Sequence, residues 1–294
     1  MIFDPLYRFA RGVRNLPGLR NCRGLWSFLH RPYYALLHFT GWSVKYPLTD
    51  DVMLTVPAYF LRQNWRSYEP DGIAVFIRWL RATENKSRVV MDIGSSIGFY
   101  STVALFADPN VEVFAFDPDL ESLRLVHRFC SKVPNLSQLH SIWCFLDKTT
   151  SSTSSMVEAE ALTETQRKQT KASGRLEHIA YRNLHDKADA DVGTPIYTLD
   201  ALTQNGQLLD HRAVLFKCDV EGAELYVLQG AQEFIKRLQP TMLLSVHHAT
   251  WLSRYNTTPA DIENFLKSVD YQWTVLSSDH EDHWLAMPAN SQMI

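Results

Sequence analysis

Carboxylate and imidazole side chains follow two apolar runs of this chain, where strands of a sheet are expected to end. Asp219 comes directly after the run AVLFKC, with Glu221 close behind it, and the run TMLLSV is followed by His247 and His248. A carboxylate can hold a hydroxyl or accept its proton, and an imidazole with an ordinary pKa of ~6.5 is a suitable general base. We therefore predict that Asp219, Glu221, His247 and His248 are the catalytic residues, although the same acids could instead stabilise the start of a helix.

These four side chains are also the candidate ligands for a divalent metal. Carboxylate oxygens suit Mg²⁺ and Mn²⁺, imidazole binds many divalent ions, and a bound ion lowers the pKa of a hydroxyl that it contacts. The connection between the last two predicted strands adds polar groups to the same edge: His280, Glu281, Asp282 and His283. Their spacing does not separate a metal site from metal-free base catalysis by His247 or His248, so both hypotheses stay open.

A glycine-containing turn indicates a site for a nucleoside cofactor. The apolar strand VVMDI contains Asp92 and leads through Gly94 and Gly98 into a helix. Glycine permits a tight backbone path at the first position and close approach to a ligand at the second. Ser96 stands where a dinucleotide-binding turn needs a glycine to admit a pyrophosphate. The turn therefore favours a ligand without phosphates.

An acid at the end of the following strand supports the same site. Asp117 comes directly after the run EVFAF, and a carboxylate there can accept hydrogen bonds from both hydroxyls of a ribose. Aspartate is common at turns, so neither signal is specific alone. In the order strand, glycine turn, helix, strand and acid, the two predict an adenosyl cofactor.

Strands and helices alternate along most of the chain, as judged from its apolar runs and from apolar residues at helical spacing. Strands are predicted at 88–93, 111–116, 139–145, 213–218 and 241–247, with regular structure also at 195–202, and helices at 68–81, from 99, from 120, at 223–238 and from 258. This alternation predicts an α/β fold with a doubly wound, mostly parallel sheet. Strands at 272–276 and 283–287 are joined by too few residues for a crossover helix, so they should be antiparallel.

Two segments fall outside this pattern. Residues 1–67 begin with six arginines among aromatic residues, which predicts a helical extension packed on the main domain, with a membrane surface or a partner protein as the alternative contact. Residues 149–194 contain the run TTSSTSS and a polar stretch, which predicts either a lid over the substrate or a variable surface insertion. We assign the catalytic domain to residues 68–294.

Composition excludes several classes of protein. The balance of 29 Lys+Arg against 32 Asp+Glu, a net charge of -3, gives no reason to expect a nucleic-acid partner. Four scattered cysteines predict neither a disulfide framework nor a zinc cluster. We find no apolar run of membrane-spanning length and no signal peptide, so a cytoplasmic location is expected. The sequence leaves homo-oligomer formation open.

Several motifs together resemble the FkbM-type family of S-adenosylmethionine-dependent methyltransferases. They are YEP at 68–70, VVMDIGSSIGFYS at 89–101, VFAFDPD at 113–119, TLDAL at 198–202, FKCDVEGAELYVLQGA at 216–231 and LLSVHH at 243–248. The block DVEGAE followed by LxGA is the most specific of them. The family usually has Ala-Asn at Ser95-Ser96 and Glu at Asp117, and both departures keep polar hydrogen-bonding groups.

The resemblance implies a Rossmann-like class I methyltransferase fold, in which a seven-stranded sheet has a terminal antiparallel strand. It also implies methylation of a hydroxyl on a sugar, glycan or natural product. The residues that it assigns to the cofactor site, with those from the turn and the strand ends, are Glu69, Asp92, Gly94, Ser95, Ser96, Gly98, Phe99, Tyr100, Asp117 and Asp219.

Two other functions are compatible with part of the pattern. An NAD-dependent oxidoreductase would share the strand and turn, but the chain lacks GxGxxG at this position. A noncatalytic binding module would need the turn but no polar edge. Five aromatic residues could stack on a flat acceptor, although core packing is their commoner use; they are Tyr59, Phe60, Trp65, Trp251 and Tyr255.

Overall fold

The computed structural model of this protein describes residues 12–13, 16, 42–57, 60, 63–82, 87–151, 194–203 and 213–291. The predicted arginine-rich extension and the predicted insertion at 149–194 therefore lie mostly outside the described residues. Tyr59 and Cys22 also lie outside them.

Strands and helices alternate in the described part, as the apolar pattern predicts. The strands are β1 Ser43–Pro47, β2 Met53–Pro57, β3 Arg88–Ile93, β4 Glu112–Asp117, β5 Leu139–Trp143, β6 Phe145–Leu146, β7 Ile196–Tyr197, β8 Ala213–Cys218, β9 Thr241–His247, β10 Tyr271–Ser278 and β11 Glu281–Pro288. The helices are α1 Pro70–Ala82, α2 Phe99–Ala107, α3 Leu120–Cys130, α4 Leu199–Thr203, α5 Glu224–Gln229, α6 Gln232–Leu238, α7 Ala249–Leu252 and α8 Pro259–Ser268. Short 3₁₀ turns lie at Trp65–Ser67, Leu136–Gln138 and Ser253–Tyr255.

Seven strands form the central sheet, in the order β10-β11-β9-β8-β3-β4-β5. Neighbours from β9 to β5 are parallel, and β11 is antiparallel to both β9 and β10. The predicted doubly wound sheet with a terminal antiparallel strand is confirmed. Because β11 runs against its neighbours, its first residue, Glu281, pairs with His247, the last residue of β9. The start of β11 thus joins the edge at which the parallel strands end.

The segment before α1 contains two strands for which the sequence analysis predicted no element. Residues 43–57, in the last part of the predicted extension, form an antiparallel hairpin in which Ser43 pairs with Pro57. The physical reason is a short alternation of buried and exposed side chains, with Leu54 and Val56 fully buried, which fits a strand and not a helix. These two side chains share one hydrophobic cluster with Val103 of α2, so the hairpin is part of the core of the domain.

The helix predicted at 223–238 is instead two helices, α5 and α6, which are separated at Gly230. A Cβ at this glycine would lie 2.0 Å from the carbonyl oxygen of Asp147, so the backbone passes too close here for a side chain. The second helix has its own N-terminal partner, because Asp200 accepts hydrogen bonds from the backbone N–H groups of Glu233 and Phe234, at 3.0 and 2.7 Å. Apolar spacing alone did not reveal the break.

Hydrophobic clusters cover both faces of the sheet. One includes Phe76 of α1 and Phe129 of α3, and the other includes Phe216 of β8 and Phe234 of α6. Helices on both faces leave the ends of the strands as the accessible edge of the sheet. Among the described helices, none combines the length and the apolar composition that a membrane crossing requires.

Candidate active site

The turn after β3 is built around Gly94, whose φ of 75° is left-handed. Its N–H and that of Ser95 both donate to the carbonyl of Phe116, at 2.9 and 3.0 Å, which ties the turn to the end of β4. A Cβ on Gly94 would lie 1.8 Å from the carbonyl oxygen of Asp219. The turn is therefore wedged between the ends of β4 and β8, and only glycine fits at this position.

Gly98 lies where α2 and α3 come close together. It precedes α2 with a left-handed φ of 78°, and a Cβ there would lie 2.8 Å from Cγ1 of Val126. Its missing side chain therefore allows contact with α3, and its predicted contact with a ligand stays a prediction. Ser96 also has a left-handed φ, of 49°, so this turn bends sharply at three positions.

A cavity of about 670 Å³ opens beside this turn. Its lining residues are Phe60, Gln63, Trp65, Tyr68, Asp92, Gly94, Ser95, Ser96, Ile97, Phe99, Tyr100, Leu125, Lys217 and Asp219. The hydroxyl of Ser95 is buried and has no hydrogen-bond partner among the described residues. A buried hydroxyl without a partner at the wall of a cavity indicates that a polar ligand group completes it.

Most of the predicted cofactor residues surround this cavity. Asp92 is buried and accepts hydrogen bonds from the backbone N–H and the hydroxyl of Ser101, so it anchors the first turns of α2. Phe99 stacks on Trp65 with ring centroids 4.6 Å apart, and the hydroxyl of Tyr100 donates to Glu69 at 2.7 Å. The structure thus brings together, around one cavity, residues that are far apart in the sequence.

Asp117 lies at the end of β4, under the glycine turn. Its two carboxylate oxygens accept hydrogen bonds from the backbone N–H groups of Ser96, at 2.9 Å, and Asp119, at 2.8 Å. Burial raises the pKa of Asp117 to about 7, although these two hydrogen bonds oppose that effect. The carboxylate therefore helps to shape the turn, and each oxygen keeps a second lone pair for another donor.

Sequence reasoning missed Lys217, which lies in β8 and lines the cavity. Its ammonium group donates to the hydroxyl of Ser245 at 2.6 Å and lies 3.5 Å from Asp219 and 3.8 Å from Glu69. Its side chain is almost completely buried, so these carboxylates provide the negative charge that a buried lysine needs. The available signal was a charged residue inside the otherwise apolar run AVLFKC.

His247 lies at the centre of a group of four carboxylates at the end of β9. Its Nδ1 is 2.8 Å from Glu224, and its Nε2 is 2.9 Å from Glu281, 3.4 Å from Glu221 and 3.9 Å from Asp219. Sequence reasoning placed Glu281 near this edge, among the groups that could bind a divalent metal, and it gave Glu224 no role. Glu281 lies here because β11 runs antiparallel to β9, so that Glu281 pairs with His247. The sequence does not show which strands pair in the sheet.

This geometry makes His247 a poor general base. Carboxylates only accept hydrogen bonds, so a ring between Glu224 and Glu281 must donate from both nitrogens. Burial by itself lowers the pKa of His247, but hydrogen bonds to Glu221, Glu224 and Glu281 outweigh it and raise the pKa to about 12. A ring that donates from both nitrogens has no lone pair for the proton of an acceptor.

Three of the four predicted catalytic residues are brought together. Asp219 and Glu221 lie on the open side of the group, with side chains 24% and 42% exposed, and His247 lies behind them. Burial raises the pKa of Asp219 to about 7, even though Lys217 opposes the effect. His248 is exposed and immediately precedes α7, and no contact joins its side chain to the group among the described residues.

The aromatic residues divide between the cavity and the core. Phe60 and Trp65 line the cavity, whereas Tyr255 is buried and packs edge-on against Tyr226. The centroid of the Trp251 ring lies 5.9 Å from that of His247, the residue that the four carboxylates surround. Phe60, Trp65 and Trp251 are therefore the members of the predicted set that lie close to polar groups of the site.

Comparison with known proteins adds a family to this geometry. Residues 92–273 match the family model described as the methyltransferase FkbM domain, which spans more than half of the chain. No curated protein sequence matches significantly.

The chain is also similar to several solved methyltransferase structures. The chain is similar to methyltransferase FkbM from Methylobacillus flagellatus, with 22% identity, a TM-score of 0.44 and coverage of 68% of this chain but only 43% of that one. It is also similar to precorrin-6y C5,15-methyltransferase from Geobacter metallireducens, with 13% identity, a TM-score of 0.39 and coverage of 73% and 86%. A human methyltransferase 10 domain containing protein gives 11% identity, a TM-score of 0.39 and coverage of 75% and 83%.

Proposed function

Because the chain belongs to the FkbM family of methyltransferases, we propose that it transfers a methyl group from S-adenosylmethionine to a hydroxyl of a sugar, glycan or natural-product acceptor. The observation that carries the proposal is that the cavity at the glycine turn lies beside the four carboxylates that surround His247, which follow β8 and begin α5 and β11. Asp219 belongs to both, since it lines the cavity and lies 3.9 Å from Nε2 of His247.

The residues at the cavity fit the cofactor. Aromatic side chains at one wall suit a flat base, the unpartnered hydroxyl of Ser95 can bond to a polar group, and Asp92 and Asp219 provide negative charge for a cationic ligand. Asp117 is not among the lining residues, but it lies under the glycine turn beside the cavity, and the free lone pairs of its carboxylate suit the hydroxyls of a ribose. When bound, the cofactor supplies an electrophilic methyl group on a positively charged sulfur.

The exposed carboxylates, Asp219 and Glu221, bind the methyl acceptor in this proposal. Asp219 and Glu221 can each accept a hydrogen bond, so they favour a partner that donates, as the hydroxyls of a sugar do. During transfer the acceptor oxygen bonds to the methyl carbon while the carbon–sulfur bond breaks, and the hydroxyl proton passes to a carboxylate. We assign this proton to Asp219 or Glu221, because both nitrogens of His247 already face carboxylates.

The alternatives have less support. An NAD-dependent oxidoreductase would need room for a pyrophosphate at Ser96, where a left-handed serine occupies the turn. A noncatalytic binding module would not need four carboxylates around one histidine. We keep a cytoplasmic location, homo-oligomer formation, the absence of a nucleic-acid partner and a contact through the arginine-rich N-terminus as proposals from composition alone.

The direct experiment compares ligands and then acceptors. Calorimetry with S-adenosylmethionine should show saturable binding, whereas NAD should not bind; the opposite result would overturn the proposal. Transfer of a labelled methyl group should then be measured with panels of sugars, hydroxylated natural products and amines. Product formation with amines and with no hydroxyl compound would contradict the assignment to O-methylation.

Asp117 provides a test that depends on pH. The ionised carboxylate accepts stronger hydrogen bonds than the neutral acid, so affinity for S-adenosylhomocysteine should rise as pH increases from 6 to 8, through the raised pKa of about 7. We expect a change of about fivefold, equivalent to ~1 kcal/mol. Asp117→Ala should weaken binding by about 1–3 kcal/mol at pH 8. Both constants are measured by calorimetry.

Asp117→Asn is the matched control, since an amide does not titrate in this range. Its affinity should not follow the pH profile of the wild-type protein, and the difference isolates Asp117 from Asp119 and Asp92, the charged groups that face it. Between the ordinary pKa of an aspartate and about 7, the folded protein holds a proton that the unfolded chain releases. The contribution of this group to stability should therefore fall as pH rises across that window. Parallel pH profiles of cofactor affinity in the wild type and in Asp117→Asn would exclude Asp117 as the titrating group.

A further inference from the structure

We propose that the protein binds one divalent cation of the Mn²⁺ or Mg²⁺ type between Asp219, His247 and Glu281, beside the cofactor cavity. This inference rests on the proposed function for its role, because the ion would polarise the acceptor hydroxyl. Its ligands differ from those expected from the sequence: Glu281 enters, and the exposed His248 does not take part.

The three side chains already have the spacing of metal ligands. Their nearest nitrogen and oxygen atoms all lie within 4.8 Å of one another. Nε2 of His247 is 2.9 Å from Oε2 of Glu281 and 3.9 Å from Oδ1 of Asp219. Adjacent ligands of an octahedral ion at ~2.1 Å lie about 3 Å apart, and opposite ligands about 4.2 Å apart. Small side-chain movements would therefore complete the site.

Glu224 orients the histidine for this purpose. It is fully buried, and its Oε1 lies 2.8 Å from Nδ1 of His247. An ion would take the place of the proton that Nε2 shares with Glu281, while Nδ1 keeps its N–H donated to Glu224; a histidine that binds a metal commonly donates its other ring N–H to a carboxylate in this way. Glu224 has no exposure through which to bind a substrate, and its Oε1 also accepts a hydrogen bond from the backbone N–H of Gly222 at 3.0 Å, so its position allows it to orient His247 and to hold the turn before α5.

The charges of the group leave room for a cation. Asp219, Glu221, Glu224 and Glu281 surround His247, and Lys217 is the nearby positive side chain that lines the cavity. Even a protonated His247 together with Lys217 would leave excess negative charge when all four carboxylates are ionised, and two of them, Glu224 and Glu281, are buried. Buried charges in proteins are paired or bind metals.

An independent observation concerns the second oxygen of Glu281. The residue is 1% exposed, and its Oε1 accepts no hydrogen bond among the described residues; Nε2 of His280 at 3.7 Å and Nδ1 of His283 at 3.8 Å lie beyond hydrogen-bonding distance. A buried, unpartnered carboxylate oxygen is costly unless a cation or a donor occupies the neighbouring space. Bidentate binding of one ion by Glu281 would satisfy both of its oxygens.

A second group also contains Glu281, together with Glu69 and His283. All three of its side chains are at most 5% exposed, and Glu69 already accepts a hydrogen bond from Tyr100 and lies 3.8 Å from the ammonium group of Lys217. An acceptor could not reach an ion there. Asp219, by contrast, is 24% exposed and lines the cavity, so the ion belongs on its side of Glu281.

The ion clarifies the division of roles. Asp219 and His247 become ligands, and the ion draws charge from the acceptor oxygen and lowers the pKa of its hydroxyl. Glu221 is then the free carboxylate, since its side chain is 42% exposed and lies 3.4 Å from Nε2 of His247. The proton of the hydroxyl passes to Glu221 as the new oxygen–carbon bond forms.

Metal binding can be measured without any methyl donor. The full chain, treated with chelator and dialysed, is titrated with Mn²⁺ while electron paramagnetic resonance reports the free ion. We expect one saturable site per chain, at least tenfold weaker in Glu281→Gln and in His247→Gln. Glu224→Gln should weaken it by about 10–100-fold without removing a ligand. Glu69→Gln and the surface variant Asp51→Asn should bind as the wild type does.

Circular dichroism of each variant confirms folding, and Glu224→Gln keeps the test decisive if a ligand variant fails to fold. Absence of a saturable Mn²⁺ site in the folded wild type would overturn the inference. So would loss of binding in Glu69→Gln with unchanged binding in His247→Gln, because the ion would then lie in the other group. Methyl transfer by chelator-treated protein would contradict the metal role and leave the proposed function intact. Mn²⁺ binding without methyl transfer to any acceptor would leave the metal site intact and contradict the proposed function.

Discussion

Replacement of Asp219 by asparagine should lower kcat for methyl transfer by about 10²–10⁴-fold, the range that positioned proton-transfer groups contribute. Asp219 lines the cavity and also belongs to the four carboxylates around His247. An amide in its place can neither accept the proton of the acceptor nor bind a cation as strongly as a carboxylate. The side chain lies at the open side of the group, so the fold should persist. Initial rates with a labelled methyl donor measure the effect.

Asp51→Asn is the control for Asp219→Asn. Asp51 makes an exposed ion pair with Arg81 at 2.8 Å, in the connection between β1 and β2, and its loss should leave kcat unchanged. Thermal unfolding of both variants separates loss of chemistry from loss of structure. A folded Asp219→Asn protein with wild-type kcat would remove Asp219 from the catalytic step and leave Glu221 as the candidate.

Replacement of Gly94 by alanine should destabilise the protein by about 2–5 kcal/mol, from a left-handed backbone and an overpacked contact together. The added Cβ would lie 1.8 Å from the carbonyl oxygen of Asp219, a backbone atom that cannot move without shifting the end of β8. The turn would therefore move away from the end of β8, which Asp219 and Glu221 follow. Urea unfolding measures the stability, and calorimetry should show weaker cofactor binding in any folded fraction.

Gly12→Ala is the matched control for this glycine. Among the residues that the structure describes, no heavy atom lies within 4 Å of a Cβ placed at Gly12, and its backbone is helical, so an alanine meets no obstacle from them. Its unfolding midpoint should be close to that of the wild type. Equal stabilities of Gly94→Ala and Gly12→Ala would show that the turn can move away from β8.

The largest part of the fold is determined locally. Apolar runs and helical spacing predict β3, β4, β8 and β9 within one or two residues, because burial on both faces of a parallel sheet demands unbroken apolar strands. The same patterns fail where packing decides. Gly230 interrupts a helix because another backbone passes close to it, and residues 43–57 form a hairpin whose short strands carry little signal.

The residues of the site likewise divide into those that the sequence predicts and those that only the fold brings together. Asp92, Asp117, Asp219 and His247 could be found from the sequence, because residues at the ends of parallel strands share one edge of the sheet. The position of Lys217 could not, since its contact with Glu69 at 3.8 Å joins distant parts of the chain.

The glycine turn, the acids after the strands and the family are thus properties of the amino-acid order alone, because each depends on local backbone chemistry and short spacing. The role of His247 was decided by tertiary structure. The antiparallel course of β11 brings Glu281 to its Nε2, and α5 brings Glu224 to its Nδ1. Protonation and ligand behaviour depend on these neighbours, and only the folded chain brings them within hydrogen-bonding distance.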